Sequence, residues 1–376
     1  MEKDRVKPYF EALLRQYVFN ELSDDFLQKM NAEDLLQGVP VPIKASDFLS
    51  FRRGNSLTVL DIARAIGIAA GAVPDFLYIE AYQAFLHRIF QGRAEEVLVN
   101  EGYAYLKAGK LLEAACFFRA AIQCNKNSRD ALYSYALCCR EIYTAAGTQG
   151  IPEGLKSVLI NNQKIQSRQN GAAALDEQKE RKETEAFIAK FKAESMETLE
   201  RLTVLHPEFA FAYYYLGYAY LNLGLYTKAY LTWNDFLEKV RLDPLVDEVQ
   251  EEVKEIEERL LSLAVPMEIE AGAAAVTAGR YHEGIEILSR YTESAFASWW
   301  PMHYYLGIAY ESIGEVEAAI TSLRRALSLS PSNIEVMDEL TAVYRAIGDR
   351  ENEIKYARKI EIVKRNYAEE AEQSDK

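Results

Sequence analysis

Residues 303–314 read His-Tyr-Tyr-Leu-Gly-Ile-Ala-Tyr-Glu-Ser-Ile-Gly, and the same pattern recurs at 213–224 and, in a looser form, at 98–109. In each copy a glycine is followed by an aromatic residue three positions later and by a second glycine seven positions later. An alanine follows at twelve positions and a large apolar residue at sixteen. A register shared by three segments predicts a repeated supersecondary unit.

The two glycines of each copy indicate how the unit is built. The first lies inside a helical pattern, where glycine costs about 1 kcal/mol relative to alanine, so it predicts a close approach of another chain segment. We expect the contact to be the alanine of the following helix, which is Ala114, Ala229 or Ala319. The second glycine is typical of a turn with positive φ after a helix. Each copy therefore predicts two packed helices joined by a short turn.

This pattern resembles the tetratricopeptide repeat (TPR) family, whose units are 34-residue helix-turn-helix motifs. The clearest matches are 95–128, 210–243 and 300–333, with weaker ones at 265–298 and 334–367. The last unit has Glu353 and Ala357 at the core positions of its second helix. The resemblance implies an all-α, right-handed α-solenoid of helix-turn-helix repeats, preceded by a helical N-terminal cap.

The pattern also divides the chain. We expect the following segments: 1–94, a helical cap or subdomain; 95–206, one unit and a second unit interrupted by an insert at about 145–181; 207–243, one unit; 244–264, an acidic amphipathic helix; 265–367, the C-terminal units; and 368–376, a polar tail. The helices flanking the insert are expected at 130–144 and 183–205. Within the insert we expect a short helix over 152–168 and a turn at Asn170-Gly171.

Inside the cap, apolar spacing predicts two helices. One covers Phe10 to Val18 and the other covers Tyr82 to Phe90. Val39-Pro-Val-Pro-Ile43 predicts an extended connector, because each proline disfavours a helical conformation in the residue before it.

Residues 58–73 also resemble a helix-turn-helix, with Ala63, Gly67 and Val73 at its small, turn and apolar positions. This gives an alternative function, a peptide-sensing transcription regulator with a degenerate DNA element near 57–76. The would-be recognition helix offers almost no side chain able to read base edges, and the cap has nearly equal numbers of basic and acidic residues. Structural packing is therefore the favoured interpretation.

Composition narrows the classes of function. The 376 residues carry 43 Lys and Arg against 57 Asp and Glu, a net charge of -14 that disfavours binding to nucleic acid and to anionic membranes. No secretory signal or apolar stretch of membrane-spanning length is present in the sequence. The four cysteines fit no disulfide or zinc pattern. We therefore expect a cytoplasmic protein.

No catalytic motif stands out in the sequence. The four histidines are scattered, and neither a phosphate-binding loop nor a nucleophile elbow is present. We therefore expect no enzymatic activity, no catalytic residue, no metal and no cofactor, and we keep an unrecognised enzyme as a further alternative.

The resemblance also implies a binding groove, because the first helix of each repeat lines the concave side in that family. Its lining positions are mainly aromatic and aliphatic in this chain: Tyr103, Leu106, Tyr133, Leu137, Phe211, Tyr214, Tyr218, Leu221, Tyr304 and Ile308, with Val99 and Ile269 at equivalent positions. Such a surface suits an apolar or amphipathic helix or an extended peptide of a partner protein. Two alternatives remain: coverage of the groove by the chain itself, and self-association into a homo-oligomer.

Overall fold

The computed structural model describes residues 4–46, 57–152, 155, 172–242 and 249–374, with only the backbone described for 172–180, 242 and 367–374. The chain divides into two compact units, Met1–Ala219 and Tyr220–Lys376, and the division falls inside one helix. Each unit is described by itself.

The first unit is built mainly of helices. Its elements are α1 (Lys7–Leu14), β1 (Tyr17–Asn20), α2 (Asp24–Lys29), α3 (Glu33–Leu36), β2 (Val41–Lys44), α4 (Val59–Ala72), α5 (Ile79–Ile89), α6 (Ala94–Lys107), α7 (Leu111–Cys124), α8 (Arg129–Gln149), α9 (Ala172–Leu205) and α10 (Ala210–Asn222), the last of which extends three residues into the second unit. Helix α6 packs on α7, and α8 packs on α9. Together the two pairs span residues 94–205, apart from the loops and the insert.

One small sheet interrupts the helices of the cap. Strands β1 and β2 pair antiparallel, with Val18 opposite Ile43. The predicted helix over Phe10 to Val18 is therefore wrong in its last part, because α1 ends at Leu14 and the β-branched Val18 joins a strand. The connector predicted at 39–43 is extended as expected, and most of it forms β2.

The predicted helix-turn-helix at 57–76 is wrong. Helix α4 runs without a turn from Val59 to Ala72, through Gly67. A Cβ atom on Gly67 would lie 2.9 Å from the Phe117 ring, and one on Gly71 would lie 1.9 Å from the carbonyl oxygen of Cys116. The glycines therefore allow α4 to pack closely on α7, and α4 is almost fully buried from Ile62 onward.

The helices around the insert are longer than expected. Helix α8 continues to Gln149 instead of ending near 144, and α9 begins at Ala172 instead of 183. The short helix predicted over 152–168 and the turn at 170–171 lie almost wholly outside the described residues.

The second unit continues as helix pairs. Its elements are α11 (Tyr226–Leu242), α12 (Gln250–Ser262), α13 (Ala264–Thr277), α14 (Tyr281–Ser289), α15 (Trp300–Ser312), α16 (Val316–Leu329), α17 (Ile334–Ala346) and α18 (Arg350–Ser374). The packed pairs are α13 with α14, α15 with α16, and α17 with α18. The single helix α12 buries Ile256 and exposes Glu251, Glu257 and Glu258, so its acidic face is solvated.

The repeat glycines act partly as predicted. The turn glycines have positive φ, for example 72° at Gly109. The helix-interior glycines make room for a different partner than expected. A Cβ atom on Gly102 would lie 2.4 Å from the ring of Phe118, and one on Gly307 would lie 2.5 Å from Leu323 Cγ. The contact is therefore the large residue sixteen positions later, and the prediction that alanine makes it is wrong.

The expected fold class, an all-α helical repeat, is confirmed by these consecutive helix pairs. Among the described residues, no single helix is both long and apolar enough to span a membrane. Helices α12 and α13 meet that test only when taken together, across a bend of 48°.

Candidate functional site

The candidate site of the first unit is a group of six aromatic side chains on α8 and α10 and on the loop before α10. We call it the aromatic surface; it consists of Tyr133, Phe209, Phe211, Tyr214, Tyr215 and Tyr218. Helix α10 buries Ala212, Leu216 and Gly217 on one side. All six aromatic side chains are half-buried, so each ring keeps part of its surface in solvent.

Ring contacts join the six side chains into one array. Tyr133 packs edge-on against Phe209, with ring centroids 5.0 Å apart, and lies 6.0 Å from Tyr215. Tyr214 is perpendicular to Tyr215 at 5.0 Å and contacts Tyr218 at 5.2 Å. Phe211 extends the array at 6.2 Å from Tyr214 and 6.5 Å from Phe209. These are the separations that aromatic pairs favour, and they hold the rings in fixed orientations.

Two arginines lie over rings of the array. Arg129 lies over the ring of Phe209, with its Cζ 5.3 Å from the centroid, and Arg140 lies over Tyr215 at 5.0 Å. Burial raises the pKa of Tyr133 well above its ordinary value, and the adjacent Tyr215 adds to this effect. The Tyr133 hydroxyl therefore stays protonated at neutral pH and can donate a hydrogen bond.

Tyr103 lies next to this array on α6. Its side chain is 40% exposed, its ring packs edge-on against Phe118, and its hydroxyl lies 2.6 Å from Ser134 Oγ on α8. Leu106 and Leu137 are half-buried, and Leu106 packs against the main core of the unit. Both leucines are therefore less exposed than Tyr103.

The structure brings together only part of the predicted groove. Tyr133, Phe211, Tyr214 and Tyr218 share one array, with Tyr103 nearby. Leu221, Tyr304 and Ile308 belong to the second unit. The equivalent residues Val99 and Ile269 are buried in the cores of their units, at 8% and 2% exposure, so the expectation that they line an exposed groove is wrong.

In the second unit, Tyr304 lies in acidic surroundings. Its ring contacts Trp300 at 6.0 Å and Tyr305 at 5.6 Å. Burial raises the pKa of Tyr304 to about 12, and the nearby carboxylates of Glu339 and Glu335 add to the shift. The surface around Tyr304 therefore differs in charge from the aromatic surface, which arginines border.

Four members of the site were not predicted from the sequence, namely Phe209, Tyr215, Arg129 and Arg140. Tyr215 is the sixth residue of its repeat, whereas the family resemblance points to the second, fifth and ninth positions. The run of three tyrosines at 213–215 was the available signal, because no helix can bury three successive bulky side chains on one face.

Two kinds of reactive group can be assessed in the described residues, namely clusters of metal ligands and cysteine thiols. No group of three His, Cys, Asp or Glu side chains among them could hold a metal ion. Burial raises the pKa of the Cys138 thiol to about 12 and those of Cys116 and Cys139 well above their ordinary values. These thiols stay protonated at neutral pH and are poor nucleophiles.

The consecutive helix pairs define an all-α helical repeat protein. The sequence model of the tetratricopeptide repeat matches residues 269–334, which run from within α13 through the end of α16. The recognition of tetratricopeptide repeats in this chain is thereby confirmed.

Solved structures found as similar include the TPR domain of P58(IPK), at 20% identity and a TM-score of 0.38, with 71% of this chain and 59% of that chain covered. The chain thus spans about three fifths of that domain. Another is MamA, at 21% identity and a TM-score of 0.26, covering 48% of this chain and 92% of that one. MamA from Desulfovibrio magneticus RS-1 is similar at 14% identity and a TM-score of 0.22, with 72% of this chain and 96% of that chain covered. No curated protein matches the sequence.

Proposed function

We propose that this chain is a non-enzymatic adaptor that binds a protein or peptide through the aromatic surface. The supporting observation is the array of six half-buried rings, which is held rigid by edge-to-face contacts and bordered by Arg129 and Arg140. Rigid rings lose little conformational entropy on binding, and aromatic and arginine side chains are frequent among residues that dominate binding energy.

The chemistry of the surface favours an apolar or amphipathic segment. The ring faces would bury aliphatic or aromatic side chains of the partner, at about 25 cal/mol for each Å² removed from water. The tyrosine hydroxyls would bond to backbone carbonyl groups of a peptide, which suits both helical and extended partners.

The test uses peptides selected by display on the full chain. Each selected peptide is titrated against Tyr214→Ala/Tyr218→Ala by fluorescence anisotropy. Losing two central rings is expected to cost about 2 kcal/mol or more, which is roughly a thirtyfold weaker Kd. The matched control is Tyr226→Ala/Tyr310→Ala, which removes two half-buried tyrosines of the second unit. The proposal is wrong if both double variants bind the selected peptides as the wild type does.

A further inference from the structure

The last helix pair of the second unit packs through two tyrosines. Tyr344 of α17 and Tyr356 of α18 stack with an interplanar angle of 5° and ring centroids 5.7 Å apart. They are 2% and 5% exposed. Tyr356 and Ile360 thus fill the core that the repeat pattern assigns to Glu353 and Ala357, and Glu353 forms a salt bridge with Arg345.

Three cations converge on this tyrosine pair from α16 and α18. Arg324 Cζ lies 5.8 Å from the centroid of the Tyr344 ring. Lys355 Nζ and Lys359 Nζ lie 5.7 Å and 5.4 Å from that of Tyr356. All three cationic residues are exposed. We call Arg324, Lys355 and Lys359 the cationic surface.

No ion pair with a described residue neutralises the positive charge of this surface. Among the described residues, none of the three cations has a carboxylate within salt-bridge distance, whereas Arg345, Arg280 and Arg290 of the same unit each have one. The carboxylate of Asp349 is close enough to Arg324 to interact through its charge. Its oxygens accept hydrogen bonds from Asn352, at 3.1 Å from the backbone nitrogen and 2.7 Å from Nδ2, and so cap α18.

A buried polar atom lies beside the same cations. Tyr344 Oη is inaccessible to solvent and has no hydrogen-bond partner among the described residues. Burial raises the pKa of Tyr344, and the neighbouring Arg324 guanidinium opposes that shift, so the two groups lie close together. Buried polar atoms are rarely left unsatisfied, and an acceptor arriving at Arg324 could reorganise this pair.

Aliphatic side chains border the cations. Ile354 and Ile362 of α18 are each 48% exposed, and they lie about two helical turns apart on the helix that carries Lys355 and Lys359. The exposed side of α18 therefore combines positive charge with apolar surface, within a chain whose net charge is -14.

We propose that the exposed side of α18, together with Arg324, binds an acidic segment of a partner protein that also carries apolar side chains. Its carboxylates pair with the cationic surface, and its apolar side chains cover Ile354 and Ile362. The overall negative charge of the chain repels such a segment elsewhere, so local charge complementarity determines where it docks. This surface is separate in residues and in chemistry from the aromatic surface, and the inference does not depend on it.

The test is a titration of a fluorescein-labelled peptide of Glu-Glu-Leu repeats with the full chain. Binding is measured as fluorescence anisotropy at low ionic strength. A peptide of Gln-Gln-Leu repeats measures the contribution of charge. The variant Arg324→Gln/Lys355→Gln/Lys359→Gln is expected to weaken binding roughly tenfold or more, because all three charge pairs are lost. The control Lys254→Gln/Arg280→Gln/Arg290→Gln removes the same charge from exposed positions of the same unit and is expected to change Kd less than about twofold.

Folding of each variant is checked by its thermal midpoint. If the triple variant is unfolded, Lys359→Glu is used instead, because it changes one exposed side chain only. Ile354→Ser/Ile362→Ser is expected to weaken binding several-fold. The proposal would be overturned if the test and control triple variants weakened binding equally. It would also be overturned if the wild type bound the Gln peptide as tightly as the Glu peptide, or did not bind the Glu peptide at all. A further contradicting result would be that, of all the variants, only Tyr214→Ala/Tyr218→Ala loses binding of the Glu peptide.

Discussion

Gly102→Ala tests the packing rule that relates the repeat pattern to the structure. Gly102 is buried in α6, and a Cβ atom there would lie 2.4 Å from Phe118 Cε1 and 2.8 Å from two further ring atoms. Real Cβ atoms do not approach carbon this closely. The Phe118 ring has 0% exposure and packs against Tyr103, so it cannot move aside without disturbing the core.

Two effects of opposite sign set the magnitude of this change. Alanine is better than glycine in a helix interior by about 1 kcal/mol. Overpacking a close-packed core costs about 1–3 kcal/mol. Because the overlap involves three atoms of a buried ring, we place the cost near the upper end. The free energy of unfolding is expected to fall by about 1–2 kcal/mol after the gain in helix propensity is subtracted.

Equilibrium urea unfolding, followed by circular dichroism, measures this change. The matched control is Gly147→Ala in α8, where the nearest atom to a new Cβ is Ile188 Cδ1 at 4.0 Å. That substitution is expected to stabilise the protein by up to about 1 kcal/mol. In a Phe118→Leu background, Gly102→Ala should become neutral or stabilising. Equal stabilisation by Gly102→Ala and Gly147→Ala in the wild-type background would refute the packing argument.

Two further predictions concern buried charge in the first unit. Asp4→Asn removes the ion-pair partner of Arg119, whose side chain is 9% exposed, and should lower the free energy of unfolding by about 2–3 kcal/mol. The control is Glu283→Gln, which breaks an ion pair with Arg280 in which both side chains are about half exposed. It should lower the free energy of unfolding by no more than about 0.5 kcal/mol. Similar effects of both changes in urea unfolding would contradict this. Burial raises the pKa of Glu194 above its ordinary 4.5, although Tyr135 donates a hydrogen bond to this carboxyl group. The folded state therefore binds the Glu194 proton more tightly than the unfolded state does. As a result, the contribution of Glu194 to the free energy of unfolding falls as pH rises above 4.5. Glu194→Gln should therefore gain stability relative to the wild type as pH rises, and a pH-independent difference would refute this.

The helix pairs were predictable from the sequence because their determinants are local. Gly102 and Gly109 fix where one helix packs and where it ends, and both signals lie within a single unit. The strand at 17–20 was not predictable in this way, because it depends on pairing with residues 41–44. The helix-turn-helix interpretation failed because Gly67 suits a turn and a close helix contact equally well, and only the Phe117 ring distinguishes them.

The candidate site was predictable in composition and less so in extent. Spacing within one helix located Tyr214 and Tyr218 on a common surface. It could not show that Tyr215 reaches Tyr133 on another helix or that Arg140 lies over its ring. Those contacts depend on how α8 and α10 pack, and the distance between them along the chain includes the insert.

Binding at the aromatic surface is tested most directly by ¹⁹F NMR of the full chain labelled with fluorotyrosine, with resonances assigned by Tyr→Phe substitution. A display-selected peptide is added to saturation. We expect the resonances of Tyr133, Tyr214 and Tyr218 to shift or broaden, while those of the buried Tyr344 and Tyr356 remain unchanged. Unchanged resonances for the first three tyrosines, with shifts elsewhere in the chain, would contradict the assignment of binding to the aromatic surface.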